Sequence, residues 1–209
     1  WVDTELDFAV SHTFGGNSAC VQLDAGDAEY LLCDLGSGVR VFGNHVFARD
    51  GASKPNVFHV FQSHLHWDHI MGFPFFAPAY VPGNKIRIYG CHQNLEEALR
   101  RQQDPPSFPV PFDHLGASIE FVTLQPGRIY DIAGWSVTAK LQSHSGDSYG
   151  YRFVRDGRII VYSTDSEHRL DDPKVAEAAA TFFADADLVI FDAMYSLAEA
   201  VSVKEDWGH

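Results

Sequence analysis

The stretch Val57 Phe58 His59 Val60 Phe61 Gln62 Ser63 runs directly into His64 Leu65 His66 Trp67 Asp68 His69. Its first part is a short apolar run rich in Val and Phe, which predicts a buried β-strand. Its second part places four potential metal ligands within six residues. Neutral imidazoles and a carboxylate are ligands that Zn²⁺ prefers, and a loop at a strand end can turn them toward one point. The segment therefore predicts a metal site at the end of a strand.

The spacing of these ligands indicates two ions. His64 and His66, two residues apart, can face one ion. The adjacent Asp68 and His69 project in another direction, which suits a second ion a few ångströms away. We therefore expect two divalent cations, with Zn²⁺ favoured and Mn²⁺ as the alternative.

Similar apolar runs recur along the chain between Gly, Asp and Asn residues. They predict strands at 19–23, 30–33, 57–61, 86–89, 119–124, 135–141, 149–154, 158–162 and 188–191. Start signals and apolar spacing predict helices over 39–48, 95–103 and 175–183. The expected class is mixed α/β (α+β) with strands in the majority. Because no linker or repeat divides the chain, we expect a single domain over residues 1–209.

Composition narrows the range of partners. The 209 residues are 45% hydrophobic and carry a formal charge of −13, so the surface should repel a long nucleic acid. A small anionic substrate is still compatible with this charge if the site supplies a local positive centre. No apolar stretch reaches the ~20 residues that a membrane span requires. With three scattered cysteines and no secretion signal at residue 1, the sequence predicts a cytoplasmic protein, and it leaves a homo-oligomer open.

The six-residue motif after an apolar strand resembles the metallo-β-lactamase superfamily. Further motifs of its RNase Z-like branch follow in order. By this resemblance, His144 completes the first metal site and Asp165 bridges both ions. The segments that carry the likeness are Gly15 Gly16 Asn17 Ser18, Leu32 Cys33 Asp34 Leu35 Gly36 Ser37 Gly38, His144 Ser145 Gly146 Asp147 Ser148 Tyr149 Gly150 Tyr151 Arg152, and Tyr162 Ser163 Thr164 Asp165.

The chain also departs from the family pattern. Family members take one more ligand from a late strand, downstream of a loop that Trp207 Gly208 His209 begins. This ligand is either missing because the sequence is C-terminally truncated, which we favour, or replaced by His209 itself. Phe191 Asp192 Ala193 Met194 stands where tRNA-processing members carry a His-Glu-Ala-Thr loop, so Phe191 replaces the histidine of that loop. Only 21 positions separate His144 from Asp165, which leaves no room for a tRNA-gripping arm. These departures argue against tRNA maturation.

The resemblance also implies roles around the metals. Asp68 is expected to orient the attacking water as well as to bind metal, and His209 to aid proton transfer to the leaving group. His168 is a weaker candidate for this proton transfer, as a residue that binds the substrate. Asp34 and Asp192 are expected to hydrogen-bond near the site without touching the ions.

The resemblance implies a four-layer αββα sandwich with two mixed β-sheets, missing its last elements. The predicted function is a dinuclear metal-dependent hydrolase that cleaves a small phosphodiester, such as a cyclic nucleotide or a cyclic sugar phosphate. One alternative is hydrolysis of a carboxylic ester, lactone or thioester by the same chemistry. A second alternative is a non-catalytic metal-binding sensor module.

Overall fold

The computed structural model describes residues 16–167 and 172–192. Its first sheet contains five strands in chain order: β1 (Val21–Leu23), β2 (Tyr30–Cys33), β3 (Val57–Phe61), β4 (Lys85–Gly90) and β5 (Ser118–Thr123). β1 is antiparallel to β2, and the remaining neighbours are parallel. Parallel neighbours need crossovers. The chain supplies them with α1 (Gly38–Asp50) before β3, the one-turn α2 (Trp67–Ile70) before β4 and α3 (Leu95–Arg101) before β5.

The second sheet is a meander closed by one parallel strand. Its strands are β6 (Ile129–Ile132), β7 (Trp135–Gln142), β8 (Ser148–Arg155), β9 (Arg158–Ser163) and β10 (Leu188–Phe191). β10 runs parallel to β9 after the crossover helix α4 (Pro173–Phe183). Two hairpins have two-residue turns with positive φ at both positions, Ala133-Gly134 and Asp156-Gly157, as the twist of paired strands favours.

The two faces of β3 show how the layers are built. Phe58 and Val60 belong to an apolar cluster with side chains of α1 and α3, whereas Phe61 belongs to the cluster between the sheets. This alternation follows from the two-residue period of a strand. On the outer face of the second sheet, Arg152 of β8 donates to the Phe182 carbonyl of α4. The result is the expected four-layer αββα sandwich with two mixed sheets.

The predicted elements are present, most of them with ends shifted by one or two residues. All nine predicted strands and all three predicted helices form. The prediction missed β6, α2 and three 3-10 helices, Phe73–Phe75, Ala77–Tyr80 and Phe112–His114. The start of α4 is fixed by Asp172, whose carboxylate accepts from the Lys174 and Val175 backbone N–H groups. Among the described residues, no helix has the length and apolar character needed to cross a bilayer.

Candidate metal centre

The predicted ligands meet where several strands end. His64 lies just after β3, His144 just after β7, and Asp165 just after β9. Two hydrogen bonds join the sheets at this point: the Tyr149 N–H donates to the Ser63 carbonyl at 2.9 Å, and the Tyr151 hydroxyl donates to the Gln62 carbonyl at 2.6 Å. The site therefore belongs to both sheets.

The first group comprises His64, His66, His144 and Asp165, whose ligand atoms all lie within 4.8 Å of one another. The three imidazole rings form a nearly equilateral triangle, with centroid separations of 4.7, 4.8 and 4.9 Å. His144 Nε2 lies 3.0 Å from His66 Nδ1, and His64 Nε2 lies 3.4 Å from Asp165 Oδ2. Ligand atoms around a tetrahedral zinc lie about 3.3 Å apart, so the spacing matches such a site.

The second group contains Asp68, His69 and, again, Asp165. His69 Nε2 lies 3.2 Å from Asp165 Oδ1 and 3.4 Å from Asp68 Oδ2. Asp165 thus directs Oδ2 to the first group and Oδ1 to the second. One carboxylate shared in this way is the arrangement expected of a ligand between two ions.

The local backbone explains why neighbouring ligands diverge. His66 is extended, with φ −63° and ψ 151°, and it caps α2, whose first turn carries Asp68 and His69. The side chain of His66, before the helix, therefore points in a different direction from those of Asp68 and His69 within it, as the spacing predicts. This turn packs against a glycine pair: a Cβ on Gly72 would lie 2.0 Å from the Gly36 carbonyl oxygen.

Asp34 organises the base of the site. It is fully buried, adopts φ 63°, and accepts five hydrogen bonds. Oδ1 accepts from the Ser63 backbone N–H and the Gln62 side-chain amide, at 2.7 and 3.0 Å. Oδ2 accepts from the Ser63 and Tyr162 hydroxyls and from His69 Nδ1, at 2.7, 2.7 and 2.8 Å.

These bonds set the tautomer of His64. The single hydroxyl proton of Ser63 is donated to Asp34, so the contact at 3.0 Å between Ser63 Oγ and His64 Nδ1 must be donated by the imidazole. His64 Nε2 then carries a lone pair aimed into the first group. This atom is buried and has no hydrogen-bond partner among the residues that the structure describes. A buried nitrogen without a partner is costly unless it binds an ion, so the residues present fit a metal.

Protonation also suits metal binding. Burial lowers the pKa of His64, and burial followed by the charge of His144 lowers the pKa of His66, so both imidazoles are held neutral. Burial opposes charge on Asp165, yet the neighbouring imidazoles of His64 and His69 lower its pKa below the usual range. Burial likewise opposes charge on His69, but hydrogen bonds to Asp165 and Asp34 raise its pKa to about 10. Without an ion, a proton on His69 therefore offsets one of the two negative charges of Asp34 and Asp165.

The structure thus brings the six predicted ligands together and places Asp34 directly against His69. Asp192 lies at the end of β10, where its backbone N–H donates to the Ser163 carbonyl. His168 and His209 lie outside the described residues. Ser63, Gln62 and Tyr162 were not predicted. Only the position of Ser63 next to His64 could have indicated a role, because nothing in the sequence links Tyr162 to Asp34, 128 positions away.

Comparison with known proteins agrees with this geometry. Residues 30–209 match the family described as "Beta-lactamase superfamily domain". Ribonuclease Z of Crocosphaera subtropica is 30% identical over 134 residues, which are 63% of this chain and 40% of that protein. The chain spans less than half the length of the curated relatives it matches.

Two solved structures share the fold. Human tRNase Z, short form, superposes with a TM-score of 0.66 at 22% identity, covering 92% of this chain and 77% of that one. Yeast PDE1 superposes with a TM-score of 0.68 at 16% identity, covering 92% of this chain and 74% of that one. As its motifs predicted, the chain belongs to the metallo-β-lactamase superfamily.

Proposed function

We propose that the protein is a dinuclear metal-dependent hydrolase that cleaves a small phosphodiester. The observation that carries the proposal is the position of Asp165, with one oxygen in each of two adjoining ligand groups. Two divalent ions held there, Zn²⁺ or Mn²⁺, would activate a water molecule and stabilise negative charge on a phosphoryl oxygen.

The ligand groups divide between the ions. His64, His66 and His144 would hold the first, Asp68 and His69 the second, and Asp165 both. Asp68 has the further role of orienting the attacking water, because its side chain is 57% exposed and lies at the open side of the second group. In the reaction, a water oxygen bonds to phosphorus, the bond from phosphorus to the leaving oxygen breaks, and that oxygen takes a proton. His209 is our candidate for the proton donor, and His168 a second one.

Two observations support the substrate class. The curated relatives are named ribonucleases, and the bonds that join nucleotides in RNA are phosphodiesters. The formal charge of −13 opposes a long polyanion and favours a small substrate. We therefore propose a small anionic phosphodiester, such as a cyclic nucleotide or a cyclic sugar phosphate, as the substrate.

The test is a panel of chromogenic substrates comprising a phosphodiester, a lactone and a thioester, each assayed with Zn²⁺ or Mn²⁺ and again with excess chelator. We expect metal-dependent turnover that is fastest for the phosphodiester. Faster hydrolysis of the lactone or thioester would refute the substrate class in favour of a carbonyl hydrolase. Metal binding without turnover of any substrate would favour a non-catalytic metal-binding sensor module.

A pair of variants controls the panel. His66→Ala removes a ligand and should abolish turnover. His45→Ala removes an exposed histidine from α1, where alanine is the better helix former, and should leave turnover unchanged. Equal activities of the two variants would refute the assignment of the metal site.

A further inference from the structure

A pocket of about 430 Å³ adjoins the end of α2, the turn that carries Asp68 and His69, and is lined by Ser37, Arg40, Met71, Gly72 and Phe75. Its volume is within the range of pockets that hold small ligands. None of these five residues belongs to either ligand group. The pocket is therefore a separate feature that the proposed chemistry does not use.

The pocket begins next to the second ligand group. Met71 follows Asp68 by three residues, and its backbone N–H donates to the Trp67 carbonyl, which continues the turn of α2. Residues three apart on a helix are surface neighbours, with Cβ atoms about 5–6 Å apart. A substrate that reacts at Asp68 can thus extend over Met71 into the pocket.

One wall of the pocket is an aromatic surface held in place. Phe73 and Phe76 are fully buried, but Phe75 between them is 55% exposed. The Phe108 ring packs nearly perpendicular to it, at 88°, with centroids 5.5 Å apart. Met71, 36% exposed, adds a polarisable thioether. An oriented aromatic face beside a thioether suits the stacking of a flat ring.

The other wall carries a positive charge, the exposed guanidinium of Arg40. Among residues 16–167 and 172–192, the Arg40 guanidinium makes no ion pair and no side-chain hydrogen bond. Other arginines are paired with carboxylates, namely Arg49, Arg87, Arg100, Arg155 and Arg158. A planar guanidinium binds phosphate or carboxylate through two parallel hydrogen bonds. In a chain with charge −13, an unpaired arginine at this position is suited to an anionic ligand.

We propose that this pocket binds the part of the substrate beyond the scissile bond. A ring stacks on Phe75 and Met71, and a second anionic group pairs with Arg40. The substrate class is then a nucleotide-like phosphodiester that carries a heterocyclic base and an additional phosphate or carboxylate. The hydrolysis of such a substrate rests on the proposed function, whereas its binding in the pocket does not.

The test compares two substrates that differ only in one anionic group: the 4-nitrophenyl ester of thymidine 5′-phosphate, and the same ester with an added 3′-phosphate. The native protein should have the lower KM for the 3′-phosphorylated ester. Arg40→Gln should raise the KM for that ester about tenfold more than the KM for the other, a typical loss for one charge-assisted contact. Arg101→Gln is the matched control, because Arg101 is also an exposed helical arginine without an ion pair among the described residues.

Binding is measured separately, by calorimetry with thymidine 3′,5′-bisphosphate in excess chelator. Arg40→Gln should weaken this binding about tenfold and Arg101→Gln should not. If neither ester is hydrolysed but the calorimetric difference remains, the proposed function fails and the pocket stands. Equal effects of both arginine variants, or no binding by the native protein, would overturn the pocket. The proposal would also be overturned if Phe75→Ala left ligand binding unchanged and altered only the molecular mass measured by light scattering. The surface around Phe75 would then be a contact between two copies of the chain.

Discussion

Asp34→Asn is the sharpest test of how the site is built. The side chain keeps its size, and asparagine tolerates the positive φ of this position. Its remaining oxygen can still accept from the Ser63 backbone N–H and the Gln62 amide. The new NH₂ group, however, faces three donors: the Ser63 and Tyr162 hydroxyls and His69 Nδ1. The substitution therefore turns the contact with His69 Nδ1 into a clash between two donors, and the two hydroxyls must rotate to accept from the new NH₂ group.

The structure sets the size of the effect. A hydrogen bond to a charged group contributes about 1.5–3 kcal/mol, and a buried donor left without a partner costs about 1–3 kcal/mol. The two hydroxyls can rotate away, whereas the His69 N–H cannot. We expect a loss of about 3–5 kcal/mol in the free energy of unfolding, measured by urea denaturation in excess chelator. Zinc affinity should fall about 10- to 100-fold, because His69 loses the group that orients it.

Asp156→Asn is the matched control. Asp156 also has a positive φ, but its side chain is 89% exposed in a hairpin turn. The same chemical change there should alter the unfolding free energy by less than about 0.5 kcal/mol. Tyr162→Phe removes one of the three donors and should cost about 1 kcal/mol, which keeps the test usable if Asp34→Asn does not fold. Equal stabilities of the Asp34 and Asp156 variants would refute the reasoning.

Three further predictions follow from the same contacts. Ser63→Ala removes the oxygen that accepts from His64 Nδ1, so zinc affinity by competition with a chelating dye should fall about 10- to 100-fold; an unchanged affinity would contradict the tautomer. Gly72→Ala forces a Cβ to within 2.0 Å of a carbonyl oxygen and should lower the free energy of unfolding, measured by urea denaturation, by about 3 kcal/mol. Gly16→Ala is the control: a Cβ there meets no atom within 4 Å, so the loss should be less than about 1 kcal/mol. Because the pKa of His69 is raised from 6.5 to about 10, protonation of His69 should stabilise the metal-free protein fully below pH 6.5, and this contribution should be lost as the pH rises toward 10; the His69→Gln variant should lack this fall in the free energy of unfolding, and parallel profiles of the two proteins would exclude His69 as its cause.

Most of the fold could be predicted because its strands are buried on at least one face. Their apolar runs are continuous or alternating, as at Val57–Phe61. The missed strand, Ile129–Ile132, contains an aspartate and begins with a residue that is 69% exposed. It is held by pairing with β7 across a two-residue turn. A strand that is defined by its partner more than by burial leaves a weak pattern in its own residues.

The site was predictable where its residues are close in the chain. His64, His66, Asp68 and His69 are readable within six residues, because each is a metal ligand by type. His144 and Asp165 required the order of family motifs, since a single histidine or aspartate is more often structural. Serine and tyrosine hydroxyls gave no such signal. Their role depends on which oxygen of Asp34 they reach, and only the packed structure shows that.

The convergence on Asp34 links the metal centre to the packing of the two sheets. Ser63 follows β3 of the first sheet, and Tyr162 belongs to β9 of the second. Their hydroxyls meet on the same oxygen that holds His69. A shift of the second sheet would therefore pull the Tyr162 hydroxyl away from the Asp34 oxygen that holds His69 and, through Ser63, His64. Because one of these histidines lies in each ligand group, the sheet interface positions both proposed ions at once.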